Sequence, residues 1–72
     1  MKKVKYIESK RTDDIQKINP SMNYRVSAYA TPVIAETERL DEAIKIAEKA
    51  VNGWSEVRIT EYASKRVWFL DA

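Results

Sequence analysis

The segment 37–54 constrains the fold most, because its apolar residues recur at the spacing of one face of an α-helix. The apolar positions are Leu40, Ala43, Ile44, Ala47, Ala50 and Val51. The charged residues fall on the opposite side: Asp41, Glu42, Lys45, Glu48 and Lys49. Gly53 follows, and glycine enters the left-handed conformation of a helix C-cap without steric cost. The segment therefore predicts an amphipathic helix, beginning near Thr37 or Leu40, whose apolar face other residues must cover.

The chain has 72 residues and contains neither cysteine nor histidine. This length suits a single domain, 1–72, near the lower limit for a core that folds unaided. Disulfides and metal sites built on thiolate or imidazole are excluded, so we expect stability to come from packing or from a partner subunit. The lack of cysteine fits a cytoplasmic protein. The longest apolar runs are too short to span a bilayer, and we expect no membrane partner.

Charge is unevenly distributed along the chain. The formal net charge is +2. Residues 1–25 hold seven Lys or Arg against three acidic residues, a net charge of +4. Residues 36–49 hold five acidic residues against three basic ones, a net charge of −2. A separation of this kind orients a charged partner, although the bias here is modest.

Alternation of apolar and polar residues predicts four strands, at 2–8, 24–31, 54–62 and 67–70. Residues 33–35 continue the second strand weakly beyond a proline. The order is β-β-α-β-β, which predicts a small α+β domain with a four-stranded mixed or antiparallel sheet and one helix packed on one face. A helix of this length returns the chain along the sheet, so we expect the second and third strands to be parallel. The outer strands pair with them as antiparallel hairpins, and the lysines of the first strand suit an edge.

Two regions stay open at the level of sequence. The segment 9–23 is either a short helical turn or a long loop that serves as a mobile functional arm. In the last hairpin, a two- or four-residue loop places Trp68 beside Ile59, whereas a three-residue loop places Phe69 there. In both registers Trp68 and Phe69 face opposite sides of the sheet, because neighbours on a strand alternate.

The order of elements, with RLDEAIKIAE leading into WSEVRI, resembles that of many small bacterial and phage proteins. The resemblance implies a small accessory protein. It implies no functional residue.

Catalysis finds little support in the residue types present. Without histidine or cysteine, nucleophilic triads, thiol chemistry and most zinc hydrolysis are excluded. The carboxylates at the start of the helix complement the positive end of its dipole. Asp13 and Asp14 are too few to hold a hard cation, which needs further converging oxygens. Gly53 is the only glycine, so no glycine-rich phosphate loop is present. We predict a protein that is not an enzyme and needs no cofactor or metal.

The sheet face opposite the helix has no second helix to cover it, and we expect function there. Arginines and aromatic residues are predicted to share this uncovered face, with two basic residues extending it: Arg25, Tyr29, Arg58, Tyr62, Trp68, Lys65 and Arg66. Such residues anchor protein interfaces, and monomers rarely expose a large apolar patch. The strand 66–70 carries little charge and, at an edge, invites pairing with another strand. We predict a protein-interaction or regulatory module, either a homodimer or bound to another protein.

The same face supports an alternative function. Aromatic rings interleaved with arginines stack single-stranded bases while the charges meet phosphates. The basic residues of 1–25 would extend this footprint. A net charge of +2 is low for a dedicated nucleic-acid-binding protein, so this reading comes second.

Overall fold

A computed structural model describes residues 5–9 and 16–71. They form five strands and one helix: β1 (Lys5–Ser9), β2 (Tyr24–Ala28), β3 (Thr31–Thr37), α1 (Leu40–Ala50), β4 (Arg58–Glu61) and β5 (Val67–Asp71). The strands make one antiparallel sheet in the order β1-β5-β4-β2-β3. Helix α1 packs against β2, β3 and β4. The predicted α+β class, with one helix on one face of the sheet, is confirmed, and the sheet is the antiparallel alternative.

The sheet has one strand more than the four predicted, because residues 31–37 form a strand of their own. Tyr29 and Ala30 make a turn that reverses the chain, and β3 pairs back onto β2. The reversal changes the direction in which the chain enters the helix. As a result β4 pairs antiparallel with β2, and the expectation that these two strands run parallel is wrong.

Strand β1 lies at one edge of the sheet, as its lysines predicted, but it pairs with β5. β5 is therefore an interior strand between β1 and β4, and the expectation that 66–70 forms an edge is wrong. The other edge among the described residues is β3. Residues 2–4 of the predicted first strand lie outside the described residues.

The β4–β5 hairpin adopts one of the two registers left open by the sequence. Ile59 lies opposite Trp68, and Thr60 lies opposite Val67. The Glu61 amide donates to the Arg66 carbonyl at 2.9 Å and closes a loop over residues 62–65. A four-residue loop therefore joins the strands.

The connection from α1 to β4 differs from the prediction in how the helix ends and in where β4 begins. Gly53 does not have a positive φ; the helix ends in tight turns, with the Gly53 and Trp54 amides donating to the Ala50 carbonyl at 3.0 and 2.8 Å. These bonds satisfy a carbonyl that the helix end would leave free. Trp54 precedes β4, which begins only at Arg58, after Glu56 takes a left-handed conformation with φ 55°.

The core lies between α1 and the sheet. Its buried residues are Val26, Ala28, Ala43, Ala47, Ala50, Val57, Ile59 and Leu70. The helix contributes only alanines to this buried set, so its backbone approaches the strands closely. Ile44 and Val51 of the predicted stripe flank the core, whereas Leu40, at the start of the helix, is exposed.

Candidate functional site

The sheet face turned away from α1 is called here the distal face. Val26 and Ile59 point into the core, so the residues on either side of each point the other way. Cross-strand pairing groups the distal residues: Arg25 with Glu36 and Thr60, Ser27 with Arg58, Arg58 with Phe69, and Thr60 with Val67.

The distal face is covered over much of its area, so the expectation of an uncovered face is wrong. Thr60 and Val67 are both 0% exposed, and Arg25 and Tyr62 are also buried. Part of the predicted 9–23 loop crosses the face over the β2–β3 pair. Its residues 16–19 contain no helix, and residues 10–15 lie outside the described part of the chain.

Four contacts hold the segment 16–19 on the distal face. The Arg25 Nη2 donates to the Gln16 carbonyl at 2.8 Å. The Ile18 and Asn19 amides donate to the Glu36 carboxylate at 3.3 and 3.2 Å. The Lys17 Nζ lies 6.0 Å from the centre of the Tyr62 ring. Buried polar groups need such partners, and the segment supplies them from its backbone.

Arg25, Tyr62 and Glu36 form one hydrogen-bonded network beneath this segment. The Arg25 Nε donates to the Tyr62 hydroxyl at 2.9 Å, and that hydroxyl donates to the Glu36 carboxylate. Burial raises the pKa of Tyr62, and the bond to Glu36 adds to the rise while Arg25 opposes it. Burial by itself would raise the pKa of Glu36, but the bonds from Tyr62, Ile18 and Asn19 and the charge of Arg25 outweigh it, and that pKa is lowered. The network favours the charged form of Glu36 and uses the hydrogen bonds of Arg25 within the protein.

Three of the predicted site residues, Arg25, Arg58 and Tyr62, do lie together on the distal face. Lys65 and Arg66 are exposed in and beside the loop that joins β4 to β5. The remaining two, Tyr29 and Trp68, lie elsewhere.

Tyr29 is not on the distal face. It occupies the β2–β3 turn, where its side chain is 77% exposed and its amide donates to the Ser55 carbonyl at 2.9 Å. Trp68 is on the helix side, half-buried in a small groove of about 140 Å³ with Leu40, Ile44 and Ile59. Phe69 is therefore the β5 aromatic that lies on the distal face.

A second surface, which the sequence analysis missed, lies along the β3 side of α1. We call it the edge groove. It has a volume of about 300 Å³ and is lined by Ile34, Ile46, Lys49, Ala50, Gly53 and Trp54. Trp54 is 45% exposed there. The available signals were Ile46, an apolar residue beside the predicted stripe, and a tryptophan directly after the glycine that ends the helix.

The edge groove adjoins an open strand edge. Within residues 5–9 and 16–71, β3 pairs only with β2, so the backbone groups on its other side have no strand partner. Val33 on this strand is exposed, and Pro32, near the start of the strand, cannot donate a backbone hydrogen bond. An apolar groove and an unpaired strand edge thus form one continuous surface.

The remaining chemistry of the described residues is sparse. Among them there is no group of three or more acidic residues placed to hold a metal ion. No helix in the part of the chain that the structure describes is long and apolar enough to cross a membrane. Comparison with protein-family models, curated protein sequences and solved structures finds no match to this chain.

Proposed function

We propose that this chain is a small non-catalytic protein-interaction or regulatory module that binds its partner through the edge groove and the adjoining edge of β3. The observation that carries the proposal is a half-exposed tryptophan set in an apolar groove beside the outer edge of β3, which has no strand partner among the described residues. This moves the predicted interaction surface from the distal face to the opposite side of the sheet.

Each part of this surface matches a known mode of protein binding. An open strand edge accepts an extended segment through main-chain hydrogen bonds, and neighbouring pockets select its side chains. Tryptophan is enriched among the residues that carry most of the binding energy of an interface. Apolar surface beside an open strand edge also promotes nonspecific association. A partner that covers the groove and the strand edge would prevent this.

The alternative, binding of single-stranded nucleic acid, rests on Arg58, Lys65 and Arg66. Arg25 and Tyr62 contribute little to it, because the guanidinium and hydroxyl already bond to Gln16 and Glu36 within the protein. The stacking platform that the sequence suggested is therefore occupied in part. We place the protein-interaction function first for this reason.

The proposal retains two further expectations that rest on the sequence. The compartment is the cytoplasm, since the chain has no cysteine for disulfide formation. The partner is either another protein or a second copy of this chain.

The test compares Trp54→Glu with Ile18→Glu, which places the same charge on another exposed apolar residue, one outside the edge groove. Each tagged protein captures partners from a nuclease-treated lysate of the source cells. A differently tagged copy of the chain is included, and binding of each captured protein is then measured with purified components. We expect Trp54→Glu to weaken binding by at least about tenfold, as for a buried interface anchor, and Ile18→Glu to leave it unchanged.

Two outcomes would count against the proposal. Binding that is equally tight with Trp54→Glu would remove the edge groove from the interface. Partners that disappear on nuclease digestion would favour the nucleic-acid alternative, and their affinity for the chain would then fall steeply with salt.

A further inference from the structure

We propose that the partner at the edge groove is a second copy of this chain, joined by antiparallel pairing of the two β3 strands, with Glu42 of each copy facing Lys49 of the other. This inference rests on the proposed function, because it names the occupant of the same surface. It gives a continuous ten-stranded sheet with both helices on one side.

The side chains along the β3 flank of α1 follow a self-complementary order. At about 100° per residue, Glu42, Ile46 and Lys49 fall within about 60° of one another. Ile46 and Lys49 line the edge groove, so Glu42 lies on the same flank, one turn towards the start of the helix. From the start of the helix towards its end, this flank therefore carries an acidic, an apolar and a basic residue. Such a sequence is complementary to itself when two copies run antiparallel.

A single two-fold axis, placed beside Ile34 and Ile46, can pair the strands and the helix charges together. Ile34 of β3 lies in the same groove as Ile46, and Ile46 lies between Glu42 and Lys49 along the helix. A two-fold axis at this level makes the central residues of β3 the middle of the new strand pair. The same axis brings Glu42 opposite Lys49 of the partner subunit, twice over. One two-fold rotation therefore pairs the two β3 edges and also places opposite charges of the two helices together. A self-complementary dimer interface requires this.

The space between the two helices of such a dimer matches the size of the side chains that face it. Helix α1 packs on β2, β3 and β4, so it is centred over β2. The two copies of β2 would be three strand spacings apart, about 14 Å. Direct helix contact needs about 8–10 Å, so large side chains must fill the difference. Ile46, Lys49 and the half-exposed Trp54 of each copy supply that volume.

The β2–β3 register shifts between Val26 and Ala28, so β3 is irregular over residues 32–34. Two other features that oppose strand pairing, Pro32 and the charge of Glu36, are accommodated by this geometry. Pro32 is the second residue of β3, so in an antiparallel pair it lies opposite the last residues of the partner strand. Its missing N–H removes a backbone hydrogen bond only at that end of the pair. Glu36 is turned to the distal face, where Tyr62, Ile18 and Asn19 bond its carboxylate. It therefore brings no free charge to the helix side of the interface.

The experiment is a charge exchange measured by sedimentation equilibrium at low salt. The variants are Glu42→Lys, Lys49→Glu and the double exchange, with Glu48→Lys as the control on the solvent side of α1. Each single variant places like charges across both symmetric contacts, and we expect its dimer to dissociate about tenfold more readily. The double variant restores opposite charges in both contacts, and its dissociation constant should return to within about threefold of the wild type. Circular dichroism confirms that each variant is folded.

Three outcomes would overturn the inference. A wild-type chain that remains monomeric at several hundred micromolar would exclude the dimer; the Trp54→Glu capture experiment would then decide the proposed function by itself. A dimer that Glu42→Lys affects no more than Glu48→Lys would place the interface elsewhere. A double variant as weak as the single ones would exclude the antiparallel pairing of Glu42 with Lys49.

Discussion

Arg25 helps to determine how much of the distal face is covered. The arginine alternates onto the distal face of β2 and is buried there, and a buried guanidinium must be hydrogen-bonded. The Gln16 carbonyl and the Tyr62 hydroxyl accept its bonds, and Glu36, its cross-strand neighbour, supplies the opposite charge. The same residue that suggested phosphate binding in the sequence thus holds the segment 16–19 in place.

The first residue-scale prediction concerns the Tyr62 hydroxyl. Tyr62→Phe leaves the Arg25 Nε and one oxygen of Glu36 without their partner, and we expect a loss of about 1–3 kcal/mol of unfolding free energy. Tyr24→Phe is the matched control, since among the described residues the Tyr24 hydroxyl bonds only to the partly exposed Glu61, at 3.1 Å. Urea denaturation measures both. A larger loss for Tyr24→Phe would show that the network contributes little.

The second residue-scale prediction concerns pH. The pKa of Glu36 in the folded state lies below its ordinary value of 4.5, so the folded protein binds fewer protons than the unfolded chain near that pH. The stability that Glu36 contributes is therefore complete above pH 4.5 and is lost as the pH falls through its folded-state pKa. Glu36→Gln should flatten the acid limb of a plot of unfolding free energy against pH. A slope for Glu36→Gln equal to that of the wild type would contradict this account.

The helix packs against the sheet through small side chains. Ala47, which is 0% exposed, belongs to the core between α1 and the strands, so a longer side chain there must displace its neighbours. Ala47→Leu should cost about 1–3 kcal/mol through overpacking. Lys45→Ala, on the exposed side, should change the unfolding free energy by no more than about 0.5 kcal/mol. The reverse ranking in chemical denaturation would show that the helix face is assigned wrongly.

The β4–β5 hairpin carries a local strain that can be tested in the same way. Lys65 has a left-handed conformation with φ 61°, which disfavours any side chain with a Cβ by about 1–2 kcal/mol relative to glycine. Lys65→Gly should raise the unfolding free energy by up to about 1 kcal/mol. Lys65→Ala retains the Cβ and should give no such gain. Equal effects of the two variants would show that the Lys65 side chain, and not its backbone, determines the result.

At the scale of the whole molecule, a 72-residue chain gains core by association. If β3 pairs with a second copy, folding and dimer formation are linked, and the melting temperature depends on protein concentration. A tenfold increase in concentration then adds about 0.7 kcal/mol per chain, equivalent to a rise of about 3–5 °C for a domain of this size. Differential scanning calorimetry over a hundredfold range of concentration measures this rise. Glu42→Lys should reduce it and Glu48→Lys should not; a concentration-independent melting temperature in the wild type would contradict the linkage.

The features that could be predicted from the sequence are those that depend on local periodicity. The apolar spacing from Ala43 to Ala50 placed the helix and its buried face, because a helical period of 3.6 residues leaves its mark within a few turns. Alternation of apolar and polar residues located the central residues of β2, β4 and β5. The absence of a second long segment with helical periodicity indicated an α+β fold with one helix. Alternation also established that Trp68 and Phe69 lie on opposite faces of the sheet, though not which face each would take.

How these elements pack together depends on contacts between residues that are distant in the sequence. The residues of β3 alternate weakly and include Pro32, so their strand character comes from pairing with β2. The pairing of β1 with β5 joins the two ends of the chain, and no local pattern encodes a contact at that separation. The cover over Arg25 and the groove around Trp54 arise in the same way, from segments distant in sequence that satisfy each other's polar or apolar groups. Local periodicity records which face of an element is apolar, whereas the partner of that face depends on the packing of the whole chain.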